Sequence, residues 1–508
     1  MFDLAFVGSG LSTSIVLRSF LEDLLERPRG VVIDVCVIEQ GPDLFGGVAY
    51  GARSGATSRV ISPLSEFLND AERSRFVAWL SETSVQHPEI LDDLTGAYTS
   101  TWIAENRRAI ETGLCDDLFI PRSLFGRYLR EAMERIIADA TAAGAATIRF
   151  IHASVTDIDR TADGFRVATD GPDGQVESER VVLGIGTPSG RRVSETLTPA
   201  PGVLVVTDPY ALGMQATIDR IAAHLERPGP RPIPPKLVIV GSNATMLDFV
   251  YQCEDDQRIA KLEPTYCVVS QSGTLPARYA SPSDPVRELP HLEALKHRHD
   301  VRACDVVAAI DADRAHYRVR ATPTSVKERN GDHDDGGWMI PAISRTIADL
   351  AAQLPPNERR IFANRTGAEI GRMQRRAGAE YLGIVDALKE AGRFVGVAAS
   401  FESVASSTAV VDRWDVVIDA SGPTALDADS PPEPLASLLR HGLASLTPAR
   451  NGLVVDDRLE ASAGLYVMGP LLAGNVVAGR PIWHLEHAGR IIEMATTLGR
   501  QIGQRFSR

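Results

Sequence analysis

Cysteine is scarce in these 508 residues: there are five (Cys36, Cys115, Cys253, Cys267, Cys304), and no two form a C-x-x-C pair. So few exclude a disulfide scaffold, and the missing dithiol argues against disulfide reductase chemistry. No apolar run reaches the roughly 18 residues that a bilayer crossing needs. The opening MFDLAFVGSG lacks the basic n-region and cleavage site of a secretory leader. The expected class is a reduced, soluble, cytoplasmic protein. Positive charge is in deficit, with 53 Lys+Arg against 66 Asp+Glu and a net charge of −13. Bulk binding of nucleic acid or an anionic membrane needs basic surface, so neither partner is expected. A P-loop, a Ser-His-Asp order and a recognisable carboxylate pair are also missing, which leaves kinase and hydrolase readings without support.

The 44% apolar and 23% charged content is that of a globular chain. Its length calls for two or three cores. Residues 3–7 (DLAFV) are a short apolar strand running into Gly8-Ser9-Gly10. Ile15, Val16, Leu17, Phe20, Leu21, Leu24 and Leu25 then recur at helical spacing, and VVIDVCVI (31–38) reads as a buried strand ending at Glu39. This order is a βαβ unit whose first two glycines let backbone approach a pyrophosphate at the positive helix end. Thr13 holds the third glycine position, so strand and helix must separate slightly or the hydroxyl must be accommodated. Glu39 stands where a carboxylate accepts from ribose hydroxyls and repels a 2′-phosphate.

The grammar recurs. The stretch ERPGPRPIPPK (226–236) forbids helix and reads as an extended linker. After it, LVIV (237–240) runs into Gly241-Ser242-Asn243, a helix starts at Ala244, and YCVVS (266–270) follows. VVLGIGTP (181–188), DVVIDASGP (415–423) and GLYVMGP (464–470) are further strands that end in glycine corners. RNGDHDDGG (329–337) reads as a surface loop, 341–391 as mainly helical, and 484–499 as the last helix. His484 and His487 would then be three apart on that helix near Glu486 and Glu493. No further ligand cluster completes a zinc site, so no metal is expected; either histidine can line a ligand pocket. Arg480 is a candidate hold for an acidic substrate or a surface ion pair, and the arginines of 359–376 read as a solvated face.

FGGVAYGARSGATSRVISPLSEF (45–67), RFVAWL (75–80), PRSLFGRYL (121–129), VVLGIGTP and LYVMGP together resemble FAD/NAD(P)-binding flavoproteins. The group includes FAD-dependent urate hydroxylase and aspartate N-monooxygenases (nitrosuccinate synthases), and more distantly the ornithine and lysine N-hydroxylases. The resemblance implies FAD, with Gly8, Ser9, Gly10, Leu11 and Ser12 at its pyrophosphate and Glu39 with Gln40 at the adenosine ribose. It places Val155 at the adenine and Gly469 at the flavin corner. Arg122 and Tyr128 fall where the family packs an arginine and aromatics near the cofactor; a salt bridge joining two helices is the other reading of Arg122. It also implies NADPH or NADH at Gly241, Ser242, Asn243, Ala244 and Thr245, where Thr245, Met246 and Asp248 agree with the family motif. Asn243 replaces its second glycine, as a residue that tolerates left-handed backbone. Ser270-Gln271 replaces its Ser-Arg, and Ser62 stands where the family has asparagine.

The implied fold is α/β with two Rossmann-like, three-layer dinucleotide domains, the second inserted in the first. The FAD domain takes 1–200 and 390–508, the NAD(P)-binding-like domain 236–345, and a helical segment 346–389. The implied function is an NAD(P)H-driven monooxygenase that uses molecular oxygen on a small polar metabolite, foremost at an amine nitrogen. A flavin dehydrogenase or oxidase, or an FAD-binding protein without its own NAD(P)H half-reaction, is the alternative. The catalytic residues are unassigned.

Overall fold

The computed structural model describes residues 1–27, 30–188, 193, 201–226, 234–279, 288–317, 319, 336–405, 414–422, 425, 426 and 431–506. Most of the proline-rich linker (227–233) and of the acidic loop (329–335) lies outside them.

The DLAFV run forms β1 (Phe2–Val7), whose last four residues are buried, as a parallel strand covered on both faces requires. β2 (Ile33–Glu39) and β3 (Ala146–His152) extend the sheet on one side. A ribbon of β4 (Val155–Arg160) and β5 (Phe165–Thr169) leads antiparallel into β6 (Gln175–Leu183), which lies parallel to β1 on the other side. Near the far end of the chain β14 (Glu460–Ser462) pairs antiparallel with β15 (Leu465–Val467), and β15 returns parallel to β6 with Leu465 opposite Val181. The first unit is therefore closed by both ends of the sequence.

Between those ends lies a second, wholly parallel sheet. It orders β12 (Phe394–Ala398), β9 (Thr265–Ser270), β8 (Lys236–Val240), β13 (Val416–Asp419) and β7 (Leu204–Val206). This moves the boundaries read from the sequence. Strand β7 joins the second unit ahead of 236. Strands β12 and β13 also pair there, although they fall after 390, in the stretch assigned to the FAD domain. The first core resumes at Leu426 and Leu435. Two short pairs complete the strands: β10 (Ala277–Arg278) with β11 (Arg376–Ala377), and β16 (Asn475–Val477) with β17 (Arg480–Ile482). Helices between 290 and 373 gather a separate apolar cluster around Leu292, Ile310, Ile343, Leu350 and Phe362.

The first helix, Leu11–Glu26, is buried nearly all round, because the sheet covers one face and the last helix, Ala488–Arg505, covers the other. A Cβ at Gly499 would lie 2.4 Å from Val16 O, and one at Gly503 would lie 2.5 Å from Asp23 Oδ2. These two contacts run the helices parallel, so that both begin at the same edge of the sheet. Gly499→Leu should force the pair apart and cost about 1–3 kcal/mol as overpacking. A lowered midpoint in thermal unfolding checks this.

Candidate functional site

The glycine turn after β1 is a steric necessity. Gly8 has φ +87° and a Cβ there would lie 2.7 Å from Gly184 O. The helix that follows has Gly10 as its N-cap, with no side-chain cap and no acidic residue in its first turn. Its positive end is thus left open to an anion. Glu39 is buried and ties the turn to β2. Its Oε2 accepts from Ser9 N at 2.7 Å and Ser9 Oγ at 2.9 Å, and its Oε1 accepts from Gly41 N at 2.7 Å. Gln40 is exposed, and Val155, buried, opens β4 beyond the same sheet edge. Ala153 N donates to Glu39 O at 3.0 Å, which ties that edge together.

The other half of the turn comes from the far end of the chain. Gly469 has φ +82°, and a Cβ there would lie 2.7 Å from Ser12 Oγ. Met468 N donates to Leu183 O at 2.9 Å, which aligns the corner with the end of β6. Gly8, Gly10, Ser12, Glu39 and Gly469 therefore share one sheet edge. A side chain at Gly469 would crowd Ser12 at the open helix end, and the bare turn suits the pyrophosphate of FAD.

The problem posed by Thr13 is solved opposite it. Gly184 of VVLGIG carries no Cβ, and one would sit 2.4 Å from Thr13 Oγ1. Gly184 thus supplies the room that the missing third glycine would have given. The sequence reading also passed over Phe45 and Ser14. Phe45 is a buried non-glycine at φ +70°, held because Phe45 N donates to Ser9 Oγ and Ser14 Oγ donates to Phe45 O at 3.0 Å. Strained backbone of this kind concentrates at ligand clamps. Phe-Gly-Gly after the second strand was the available signal.

At the second turn Gly241 has φ +109°, and a Cβ would lie 2.2 Å from Ala420 O. Asn243 caps helix Ala244–Asp255 with φ −110°, an extended conformation, and makes no side-chain cap bond. The left-handed tolerance expected of asparagine is therefore unused. Gly241, Ser242, Asn243, Ala244 and Thr245 are all partly accessible around another open helix end. Asp248 is not part of that turn: it is buried and accepts from Arg122 Nη2 at 2.5 Å. Arg122 Nε donates to Arg59 O at 2.9 Å. Arg122 thus makes an ion pair between two helices, the second of its two readings. Tyr128 is likewise a core residue, with its hydroxyl on Glu72 Oε1 at 2.9 Å.

The histidine segment is not helical. The last helix begins at Ala488 with His487, extended, as its N-cap, and 484–486 belong to neither helix nor strand. Trp483 is the cause: its ring packs edge-on against Phe362 at 5.2 Å, and a Cβ on Gly367 would meet its Cβ at 2.3 Å. Held this way, His484 lies near Arg375, Arg490 and His487, and His487 lies near Glu66. Burial, with Arg490, His487 and Arg375 nearby, holds His484 down at about 4, so the ring is neutral. Burial also lowers His487, while Glu486 is exposed with Arg375 nearby. Ser62 is buried beside the Tyr279 hydroxyl, and Arg376 pairs with Glu66 Oε2 at 2.6 Å while lying 4.0 Å over the Tyr279 ring. Arg480 is exposed, 3.9 Å from Glu493. Among the described residues no group of three His, Cys, Asp or Glu could hold a metal ion, and no helix is long and apolar enough to cross a membrane.

A family model described as FAD-NAD(P)-binding matches residues 5–188. Those residues hold both strands and the glycine turn of the first site, so the cofactor class of this domain is FAD/NAD(P). An uncharacterized protein of Mycobacterium tuberculosis is 27% identical over 520 residues, covering 98% of this chain and 94% of its own, and one of Mycobacterium bovis matches equally. Among solved structures, a lysine monooxygenase from Nocardia farcinica has a TM-score of 0.47 at 14% identity, covering 97% of this chain and 98% of its own. Ornithine hydroxylase from Pseudomonas aeruginosa has a TM-score of 0.43 at 14% identity, covering 99% of both chains.

Proposed function

We propose that the protein is a cytoplasmic, FAD-dependent oxidoreductase, driven by NADPH or NADH, that uses molecular oxygen to hydroxylate a small polar metabolite at an amine nitrogen. Its motifs ally it with the urate hydroxylases and aspartate N-monooxygenases. The observation that carries this reading is the meeting of Gly469 with Ser12 at an open, uncapped helix end, which suits the phosphates of a dinucleotide. Gly8, Ser9, Gly10, Leu11 and Ser12 would hold the pyrophosphate, and Glu39 the ribose. The redox chemistry is the flavin's when bound; the protein positions the reactants and excludes water.

Neutral His484 can donate one hydrogen bond and accept another at its ring nitrogens without adding charge. Glu486, exposed and near Arg375, can as a carboxylate hold an amine substrate as its counter-ion. The choice of NADH over NADPH has one observation in its favour: Gln271 stands exposed at the end of β9, where a guanidinium would hold a 2′-phosphate.

Anaerobic stopped-flow mixing of the yellow protein with each nicotinamide separates these readings. Bleaching by either one, accelerated by the right member of a panel of amino acids and purines, is the expected result. If neither nicotinamide bleaches the flavin, the monooxygenase reading fails. Bleaching followed by stoichiometric hydrogen peroxide, without a hydroxylated product, would make the enzyme an oxidase.

A further inference from the structure

The seam between the two dinucleotide units is polar, and one buried carboxylate anchors it. Asp248, 1% exposed, lies in the helix Ala244–Asp255. Its Oδ2 accepts from Ser58 Oγ at 3.1 Å, Arg122 Nη2 at 2.5 Å and the Tyr210 hydroxyl at 2.8 Å. Its Oδ1 accepts from the Tyr381 hydroxyl at 3.1 Å. Ser58 and Arg122 belong to the first unit, and Tyr210 and Tyr381 to the second. The same helix face continues the pattern. Gln252 Oε1 accepts from Thr57 Oγ1 at 3.0 Å, and Asp255 accepts from Tyr98 N at 2.7 Å and from Thr99 Oγ1 at 2.7 Å. The Tyr381 hydroxyl also accepts from Arg59 N at 2.9 Å.

An apolar seam tolerates sliding because its contacts are non-directional. A buried charge that needs several aligned donors permits one register, since each lost donor leaves it undersatisfied in a low dielectric. The other end of this helix is the open turn Asn243–Thr245. About one helical turn, ~5.4 Å, separates that turn from Asp248. A nucleotide on the turn and the donors of the first unit thus grip one short rigid rod.

We propose that Asp248 is a positioning residue, the anchor of a polar clasp that fixes the nicotinamide-type unit in one orientation to the flavin-type unit. Its effect on reduction rests on the function proposed above; the clasp itself does not. In that role Asp248 touches no reactant. It sets where the nicotinamide lobe presents its ligand, so its loss acts on the rate of hydride transfer more than on nucleotide affinity.

The test is Asp248→Asn in the full-length holoprotein, read by hydrogen–deuterium exchange and by anaerobic reduction with NADPH. Exchange should quicken about tenfold or more at the seam amides Arg59, Tyr98 and Thr99, with β1 and β8 unchanged. The limiting reduction rate should fall about tenfold or more while the NADPH Kd moves less than about threefold, a split that general destabilisation does not produce. Unchanged exchange at the seam overturns the clasp. Quickened exchange with an unchanged reduction rate overturns the positioning role. If the wild-type flavin is not reduced by either nicotinamide, the proposed function fails on its own, and exchange still decides the clasp. Should Asp248→Asn fail to accumulate, Tyr210→Phe and Ser58→Ala each remove one donor. They should show the same split more weakly, and a normal seam in both overturns the proposal.

Discussion

Gly10→Glu protein should purify folded and colourless where the parent is yellow. The backbone tolerates the change: a Cβ on Gly10 meets only Gly47 Cα, at 3.7 Å, which is ordinary contact. What changes is the charge at the start of helix Leu11–Glu26, which has neither a side-chain cap nor an acid in its first turn. A carboxylate placed there satisfies the helix end from within and repels the diphosphate that would otherwise occupy it. Loss of affinity by about a thousandfold, ~4 kcal/mol, is the expected size. Absorbance in the flavin bands per mole of protein, with circular dichroism as the folding control, measures it. Gly8→Val makes the contrast. With φ +87° and Gly184 O at 2.7 Å from the Cβ position, it should lower stability as well as flavin content. Full colour in Gly10→Glu would move the cofactor elsewhere and remove the basis of the proposed function.

That test draws on the part of the molecule that was readable from sequence. Apolar run, glycine turn, amphipathic helix and strand-terminal Glu39 are local signals, and each acts within one βαβ unit. The fit of Thr13 was unreadable, because it depends on Gly184, a residue far along the chain that meets it only after β6 pairs with β1. Strands β12 and β13 looked like any apolar run. Which sheet they join is decided by distant partners such as Tyr266 and Val238, so the boundary at 390 was misplaced. His484 and His487 have helical spacing, but the docking of Trp483 on the helical cluster outweighs local propensity. Asp248 was visible as a motif residue, whereas its four donors come from four other parts of the chain.

The largest stability effect should come from Glu72, a residue outside any motif. Arg18 and Glu72 pair inside the first unit, at 2.8 Å and 2.5 Å through both guanidinium nitrogens, with side chains only 7% and 2% exposed. Tyr128 adds its hydroxyl to Glu72 at 2.9 Å. Burial by itself would raise the Glu72 carboxyl, but the Arg18 hydrogen bond and charge, with help from Tyr128, hold it below its ordinary 4.5. Glu72→Gln keeps the shape and leaves the Arg18 guanidinium buried without its anion, since the nearest other carboxylate, Glu22, is 3.9 Å away and partly solvated. Breaking one side of such a pair costs about 3–5 kcal/mol, whereas replacing both partners with apolar groups costs little. Glu72→Gln should therefore unfold at much lower denaturant, and Arg18→Met with Glu72→Leu should recover most of the loss. The pH dependence has a definite sign. Because the folded carboxyl sits below its unfolded value, the pair contributes its full stability above about pH 5 and loses it as pH falls through the folded value. The gap between wild type and Glu72→Gln, followed by denaturant titration, should be flat near neutrality and close on the acid side. A gap that widened with acid would mean that Arg18 is neutralised by some other group.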